Sequence, residues 1–385
     1  MRLTDKEGYF ILSNLSGVGP AKIKQLITFF GSPTEILSAS SQKLAFVQGI
    51  GGKLSGIIKN WEKEFDLEKE LNKYEKAGIK IITMADKEYP EALREIYSPP
   101  TTLFVRGNAD VLNNFRSALA VVGSRRTSRY GKNMCKMITR SASVAGWTIV
   151  SGLATGIDTV AHEATLDADG VTIAVLGSGL GHIYPQENVR MAAKIAEKGA
   201  VVSEFPILQK PDKRTFPMRN RIISGLCRGV LVVEAGFKSG SLITARHALE
   251  QNRQIFAIPG QVDNPHARGC HKLIKTGAKL TENFSDILEE FHFQGEFDFS
   301  TTNDSVDEEN AEKKLPHNIQ LSSMDKTLLK VLEENTSGLS AEELATETEI
   351  PTDELLSALL SLEMKKLISQ LPGMRFALTK NYQIS

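Results

Sequence analysis

Short apolar runs alternate with amphipathic stretches through the middle of the 385-residue chain. Continuous aliphatic segments at 118–122, 148–150, 171–176, 200–203, 230–233 and 255–258 read as strands covered on both faces, since a half-exposed strand would alternate apolar with polar positions. Between the first two, Met134, Met137, Ile138, Ala142 and Ala145 recur at helical spacing and stop at Gly146, which predicts a crossover helix between parallel strands. Upstream, Ile23, Leu26, Ile27 and Phe30 form one helical face behind Gly17-Val18-Gly19-Pro20, and a second glycine turn, Gly49-Ile50-Gly51-Gly52, precedes another helical stretch. A strand-like run at 79–83 and the turn Tyr97-Ser98-Pro99-Pro100 connect the two regions. Downstream, three helical stretches around 328–332, 341–345 and 355–362 precede apolar runs at 367–371 and 375–378, which Pro372-Gly373 separates as in a β-hairpin. Ser340 and Glu343 have the spacing of a capping box.

These elements predict an α/β chain with a Rossmann-like parallel sheet core, an N-terminal helical domain and a C-terminal winged-helix domain. The expected boundaries are 1–75 for the helical part, 76–293 for the Rossmann-like part, 294–314 for an acidic linker and 315–385 for the winged helix. The two Gly-apolar-Gly turns resemble helix-hairpin-helix (SAM-like) units, whose free amide groups can hold DNA phosphates; ordinary helix-packing turns fit the same residues.

Charge changes this picture because it is unevenly placed. The whole chain balances 46 Lys and Arg against 46 Asp and Glu, yet residues 115–281 carry 23 bases against 11 acids, and 296–312 carry seven acids and no base. Residues 315–385 hold six bases and ten acids. A polyanion should therefore bind the middle, while the acidic winged helix suits a protein contact or a regulatory role better than duplex DNA. No run is long and apolar enough for a membrane span and the start is too polar for a secretory signal, so a cytoplasmic protein is expected. Three widely spaced cysteines, Cys135, Cys227 and Cys270, argue against a disulfide framework or a zinc cluster, and are expected to be buried or neutral.

Ligands of open α/β sheets sit at the carboxyl ends of the strands, and here those ends are rich in Gly, Ser and Arg. They read Gly123-Ser124-Arg125-Arg126, Ser151-Gly152-Leu153-Ala154-Thr155-Gly156, Gly177-Ser178-Gly179-Leu180 and, after Glu234-Ala235-Gly236, Lys238-Ser239-Gly240-Ser241. Glycines would let a ligand approach the backbone, and hydroxyls with helix N-termini favour anions. Lys213-Arg214-Thr215-Phe216-Pro217-Met218-Arg219-Asn220-Arg221 adds four bases around one aromatic, the combination that neutralises phosphates and stacks a base of a single strand. The expected nucleic-acid contacts are Ser124, Arg125, Arg126, Gly152, Gly177, Ser178, Gly179, Lys213, Phe216, Arg219, Arg221, Ser239, Gly240 and Ser241, with Arg221 equally suited to an ion pair with Glu204 or Glu234. No turn has full G-x-G-x-x-G spacing and Gly52-Lys53-Leu54 is not a phosphate-binding P-loop, so no dinucleotide or other cofactor is expected.

The order of these motifs resembles the DNA-processing protein A (DprA/Smf) family. The likeness runs through Val121-Val122-Gly123-Ser124-Arg125, Ser151 to Asp158 with Ala161-His162, Tyr184-Pro185, Ser203-Glu204, Phe216 to Gly225, Ser239 to Ala245 and Pro259-Gly260, and departs at Cys270-His271. The resemblance implies a homodimer, formed through the Rossmann-like domain, that binds incoming single-stranded DNA in natural transformation, protects it and loads the RecA recombinase.

The rival reading is an enzyme. Asp158 and His162 lie four apart, as an acid/base pair or two metal ligands would, but a third ligand is missing and a structural Asp–His hydrogen bond is expected. Nucleotide hydrolases of the lysine-decarboxylase-like group carry a P-G-G-x-G-T-x-x-E loop at the fifth strand. Thr244 stands here where their catalytic Glu would be, so no catalysed reaction is expected.

Overall fold

The computed structural model describes residues 3–297 and most of 323–378. The chain forms two compact units, Met1–Phe299 and Ser300–Ser385.

The first unit is built on a nine-stranded sheet of β1 (Lys80–Thr83), β2 (Thr102–Gly107), β3 (Ala118–Val122), β4 (Thr148–Ser151), β5 (Thr172–Val175), β6 (Ala200–Ser203), β7 (Gly229–Val232), β8 (Gln254–Ala257) and β9 (Lys279–Leu280). Their order is β1-β2-β6-β5-β4-β3-β7-β8-β9. Pairing is parallel from β6 through β9, whereas β1 with β2 and β2 with β6 are antiparallel. The short apolar runs are strands because both faces are covered. Ala118, Ala120 and Val122 pack with Ile222, Ile223 and Ala245 on one side, while Leu119 and Val121 pack with Cys135, Ile138 and Ala161 on the other.

Two strands escape the sequence pattern. Pro99-Pro100 reads as a turn, yet the next residues form β2, whose Leu103 and Val105 enter one core and Phe104 another. The two-residue β9 is too short to register as a pattern. Seven helices precede β1. They dock on β2 through an aromatic cluster in which Tyr74 lies 5.3 Å from Phe10 and stacks on Phe104 at 4.7 Å.

Each glycine turn joins two helices. Gly17 (φ 78°) and Gly49 (φ 82°) adopt the left-handed backbone that favours glycine, Val18 and Ile50 are buried, and Gly19 and Gly51 cap the helices Pro20–Phe30 and Gly52–Lys59 without a side-chain bond. All three cysteines are free and buried, and burial pushes the thiols of Cys135 and Cys270 up to about 12.

In the second unit β10 (Leu339–Ser340), β11 (Ile368–Leu371) and β12 (Arg375–Leu378) pair in the order β10-β12-β11, with helices Ser323–Glu334 and Ala341–Thr348. Leu328, Leu332, Leu344, Leu359 and Phe376 form its core, and the Ser340–Glu343 capping box is present, with both reciprocal bonds made. The helix Phe284–Phe297 runs into the stretch assigned to the acidic linker because Ile287 and Phe291 pack on the sheet; the rest of that stretch lies outside the described residues. No helix among the described residues is long and apolar enough to cross a membrane.

Strand β3 is followed by β4 on one side and neighbours β7 on the other. Crossovers leave this point in opposite directions, which opens a crevice at the carboxyl ends of β3 and β7.

Candidate nucleic-acid interface

A cleft of about 790 Å³ occupies that crevice. Its walls are the β3 exit, the first turns of the helix Thr215–Gly225, and the loop from Gly236 into the helix Ser241–Glu250. Ser124 ties the β3 exit into a turn, its Oγ donating to the Arg126 carbonyl (2.9 Å) and accepting from the Arg126 amide (3.1 Å). Arg125 and Arg126 remain exposed. The Thr215 hydroxyl donates to the Gly177 carbonyl, which anchors the start of its helix to the β5 exit and sets the Phe216 ring in the cleft. The Arg125 guanidinium lies 5.5 Å over that ring, and Tyr184 lies 5.9 Å from it at a 49° tilt. Lys213, Lys238 and the Ser239–Ser241 hydroxyl pair (2.7 Å) line the same cleft.

The fold thus gathers Ser124, Arg125, Arg126, Lys213, Phe216, Arg219, Ser239, Gly240 and Ser241, which lie as much as 117 residues apart between Ser124 and Ser241. Lining residues outside the expected contacts include Tyr184, Asn220, Lys238 and His266. Lys238 was legible in principle, as a cation inside the glycine loop at the β7 exit. Tyr184 stands in the Tyr184-Pro185 motif of the family resemblance, but neither it nor His266 carries a local sign of its place in the cleft, because only the fold brings their loops there.

The glycines play a different part from the one expected. A Cβ on Gly177 would lie 2.6 Å from Phe216 Cδ1, one on Gly152 2.6 Å from Arg219 Nη2, and one on Gly179 1.9 Å from the Pro206 carbonyl. The atoms that approach these backbones belong to the chain itself. Gly240 differs, with nothing within 4 Å of such a Cβ. Ser178 is also turned inward, its hydroxyl donating to the His182 carbonyl (2.6 Å).

Two of the expected arginines point inward as well. Arg219 is 4% exposed and its Nη1 donates to the carbonyls of Gly152 (2.7 Å) and Val175. Arg221 donates through both terminal nitrogens to Glu204 at 2.6 Å, and through Nε to the Ser98 carbonyl (2.7 Å). Arg221 is engaged by the interior through Nε and both terminal nitrogens, whereas Arg219 is held there through Nη1 and still lines the cleft, so the geometry gives both a structural role. The other acid named as a possible partner, Glu234, accepts from Thr127 and from Ser128 and so holds the start of the helix Arg129–Val144.

This arrangement keeps the exposed cations free. Among the described residues no carboxylate forms an ion pair with Arg125, Arg126, Lys213 or Lys238. Among the described residues Asp158 is the one acid lining the cleft, and it lies buried with Oδ2 accepting from the Gly152 (3.2 Å) and Ala154 (3.3 Å) amides. Burial raises its carboxyl above the ordinary range against the opposing pull of Arg219 and those amides. Burial likewise brings Arg219 down to about 10, with Arg125 adding to the effect.

The expected Asp158–His162 hydrogen bond is not made. His162 Nδ1 meets Thr172 Oγ1 at 2.8 Å, and that hydroxyl already donates to the Ile149 carbonyl, so Nδ1 is the donor and the buried Nε2 is left without a partner. Burial, with Arg219 second, depresses His162 to about 3, which keeps it neutral near pH 7.

The sequence profile of the family described as DNA recombination-mediator protein A matches residues 80–292, and that of the DprA winged helix domain matches 312–374. The DNA processing protein DprA of Bacillus subtilis is 46% identical over 238 residues, 61% of this chain and 80% of the relative. The crystal structure of DNA processing protein A from Streptococcus pneumoniae superposes with a TM-score of 0.65 at 37% identity, covering 76% of this chain and 99% of that one. A structure of the Helicobacter pylori protein that concerns its single-stranded DNA binding mode has a TM-score of 0.50 at 28% identity, covering 56% of this chain and 97% of that one.

Proposed function

Since this chain belongs to the DNA recombination-mediator protein A family, we propose that it binds single-stranded DNA in the cleft between β3 and β7, protects it and passes it to the RecA recombinase. The observation that carries the reading is the Arg125–Phe216–Tyr184 cluster, flanked by Lys213 and Lys238, with which no carboxylate among the described residues forms an ion pair. Arg and Lys neutralise phosphates, the two rings offer π-faces to bases, and none of these groups reads a base edge. Phe216 can stack only on a base free of its neighbours, which a duplex provides only by unstacking at a few kcal/mol per step. The H. pylori relative, studied for its single-stranded DNA binding mode, supports the ligand class. The family's description as a recombination mediator supports delivery to a recombinase.

In this reading the contacts are Ser124, Arg125, Arg126, Lys213, Phe216, Ser239, Gly240 and Ser241, with Tyr184 and Lys238 added. A homodimer formed through the Rossmann-like domain places two clefts on one particle and raises avidity for long strands. The division of labour follows the charge. Residues 76–293 bind DNA, the helical residues 1–75 pack beside them, and the acidic segments 294–314 and 315–385 serve protein contacts. The nucleotide-hydrolase alternative finds little support in the cleft, where Asp158 is held by backbone amides and Thr244 occupies the place of the acid.

The test is a competition in which unlabelled duplex, short single strands and long single strands displace a labelled long strand. Long single strands should compete best. Duplex competing equally at matched nucleotide concentration would overturn the reading.

A further inference from the structure

A second groove, of about 600 Å³, adjoins the cleft and shares Pro217 and Ile243 with it. One wall is the first glycine turn with Lys22, and the other is Met218, Arg246 and His247. The same two helices line both hollows, Thr215–Gly225 through Phe216 and then Met218, and Ser241–Glu250 through Ser241 and then Arg246. Five residues of helical rise, about 7.5 Å, separate Ser241 from Arg246. The hollows are therefore successive stations along one rigid seam.

The chemistry of the cleft recurs at the second station. Tyr97, 89% exposed, precedes Ser98 of the groove lining, and the Lys24 ammonium lies 5.5 Å over its ring while donating to its carbonyl (2.9 Å). Lys22 donates to the Gly17 carbonyl (3.0 Å) and, like Lys24, faces no carboxylate among the described residues. The nearby acids are otherwise engaged. Glu204 is held by Arg221. Glu250 meets Arg246 at 3.7 Å and His247 at 3.2 Å in exposed pairs, which are weak in water and give way to a phosphate.

We propose that the second groove continues the single-strand path, so that a strand leaving the cleft crosses Pro217 and Ile243, sets phosphates against Lys22, Lys24 and Arg246, and stacks a base on Tyr97. This rests on the single-stranded DNA reading of the cleft. It also gives the first helix-hairpin-helix-like turn a ligand role, as a wall of the strand path.

The experiment compares the full chain with the triple variant Lys22→Ala/Lys24→Ala/Arg246→Ala, with Tyr97→Ala and with Arg125→Ala. Fluorescence anisotropy is read on oligothymidylates of roughly 4 to 16 nucleotides, the range one binding fold occludes, across a salt series. The triple variant should bind the shortest strands like the parent, lose the gain in affinity that longer strands give the parent, and show a log–log salt slope lower by roughly 2 on the long strands. Tyr97→Ala should weaken long strands by roughly 5- to 150-fold with the slope unchanged.

Three outcomes overturn the inference while leaving the cleft reading intact, provided Arg125→Ala has lost affinity. They are a triple variant that keeps the parent's slope and length dependence, one that weakens equally at every length, and, with a duplex of the longest length read alongside, one that loses affinity for the duplex alone. If Arg125→Ala also binds like the parent, the cleft reading itself fails. Thermal unfolding of each variant, expected to match the parent because the replaced side chains lie at the surface, separates lost contacts from lost structure.

Discussion

Replacing Phe216 by Ala removes the ring that the cleft is built around and no charge. The ring rests on Gly177, where even a Cβ would lie 2.6 Å from it, and faces Arg125 at 5.5 Å and Tyr184 at 5.9 Å. Loss of one base–aromatic stack costs about 1–3 kcal/mol, which is roughly a 5- to 150-fold weaker Kd. The log–log salt slope should stay at the parent value, because slope counts neutralised phosphates and none is lost. Phe216→Trp should retain most of the affinity, since any large π-face serves. Gly177→Ala should act like Phe216→Ala, because its methyl displaces the ring while every cation stays in place. The assay is anisotropy or filter binding on one long oligonucleotide at four or five salt concentrations, with thermal unfolding to confirm that each variant is folded. Unchanged low-salt affinity together with a reduced slope would refute stacking as the role of this ring.

Arg125→Ala, Lys213→Ala and Lys238→Ala should each lower the salt slope by roughly 0.7, and three variants binding like the parent would move the site elsewhere. Arg219→Ala should act on the fold, because it strips the Gly152 and Val175 carbonyls of their donor and leaves Asp158 without its facing cation. A loss on the order of 3 kcal/mol in denaturant unfolding is expected, and a fully stable variant with weakened DNA binding would show Arg219 to be a contact instead. His162 sets a pH dependence. Its folded value of about 3 lies below the ordinary 6.5, so the unfolded chain takes up a proton that the folded one refuses. Its contribution is complete above pH 6.5 and falls away between there and pH 3, by up to about 1.4 kcal/mol per pH unit. His162→Gln should flatten that component in urea titrations at successive pH values, and an identical pH profile would show that another group is responsible.

The parallel sheet was legible from β3 to β8 because each of those strands is a short run covered by packing on both faces, and burial of that kind writes itself into the sequence as an uninterrupted apolar segment. The uneven charge was legible for a similar reason, since solvent-facing cations are free to accumulate where a polyanion binds. The strand β2 was not, because the proline pair just before it reads as a turn and masks the short run Leu103-Phe104-Val105, whose pairing with β1 and β6 is long-range. Within the site, residue types were readable and directions were not. Arg125 and Arg219 carry the same guanidinium, yet one is exposed over Phe216 and the other is almost fully buried in the cleft lining, donating to two carbonyls. The glycines at 152, 177 and 179 signalled close approach, but only the folded chain shows that its own atoms are what approaches. Tyr184 reaches Phe216 from a loop that no local pattern ties to it. Composition and periodicity record how much of a segment meets water, a property of each segment alone. Which side chains converge depends on sheet order and helix docking, which are settled by packing among segments far apart in the chain.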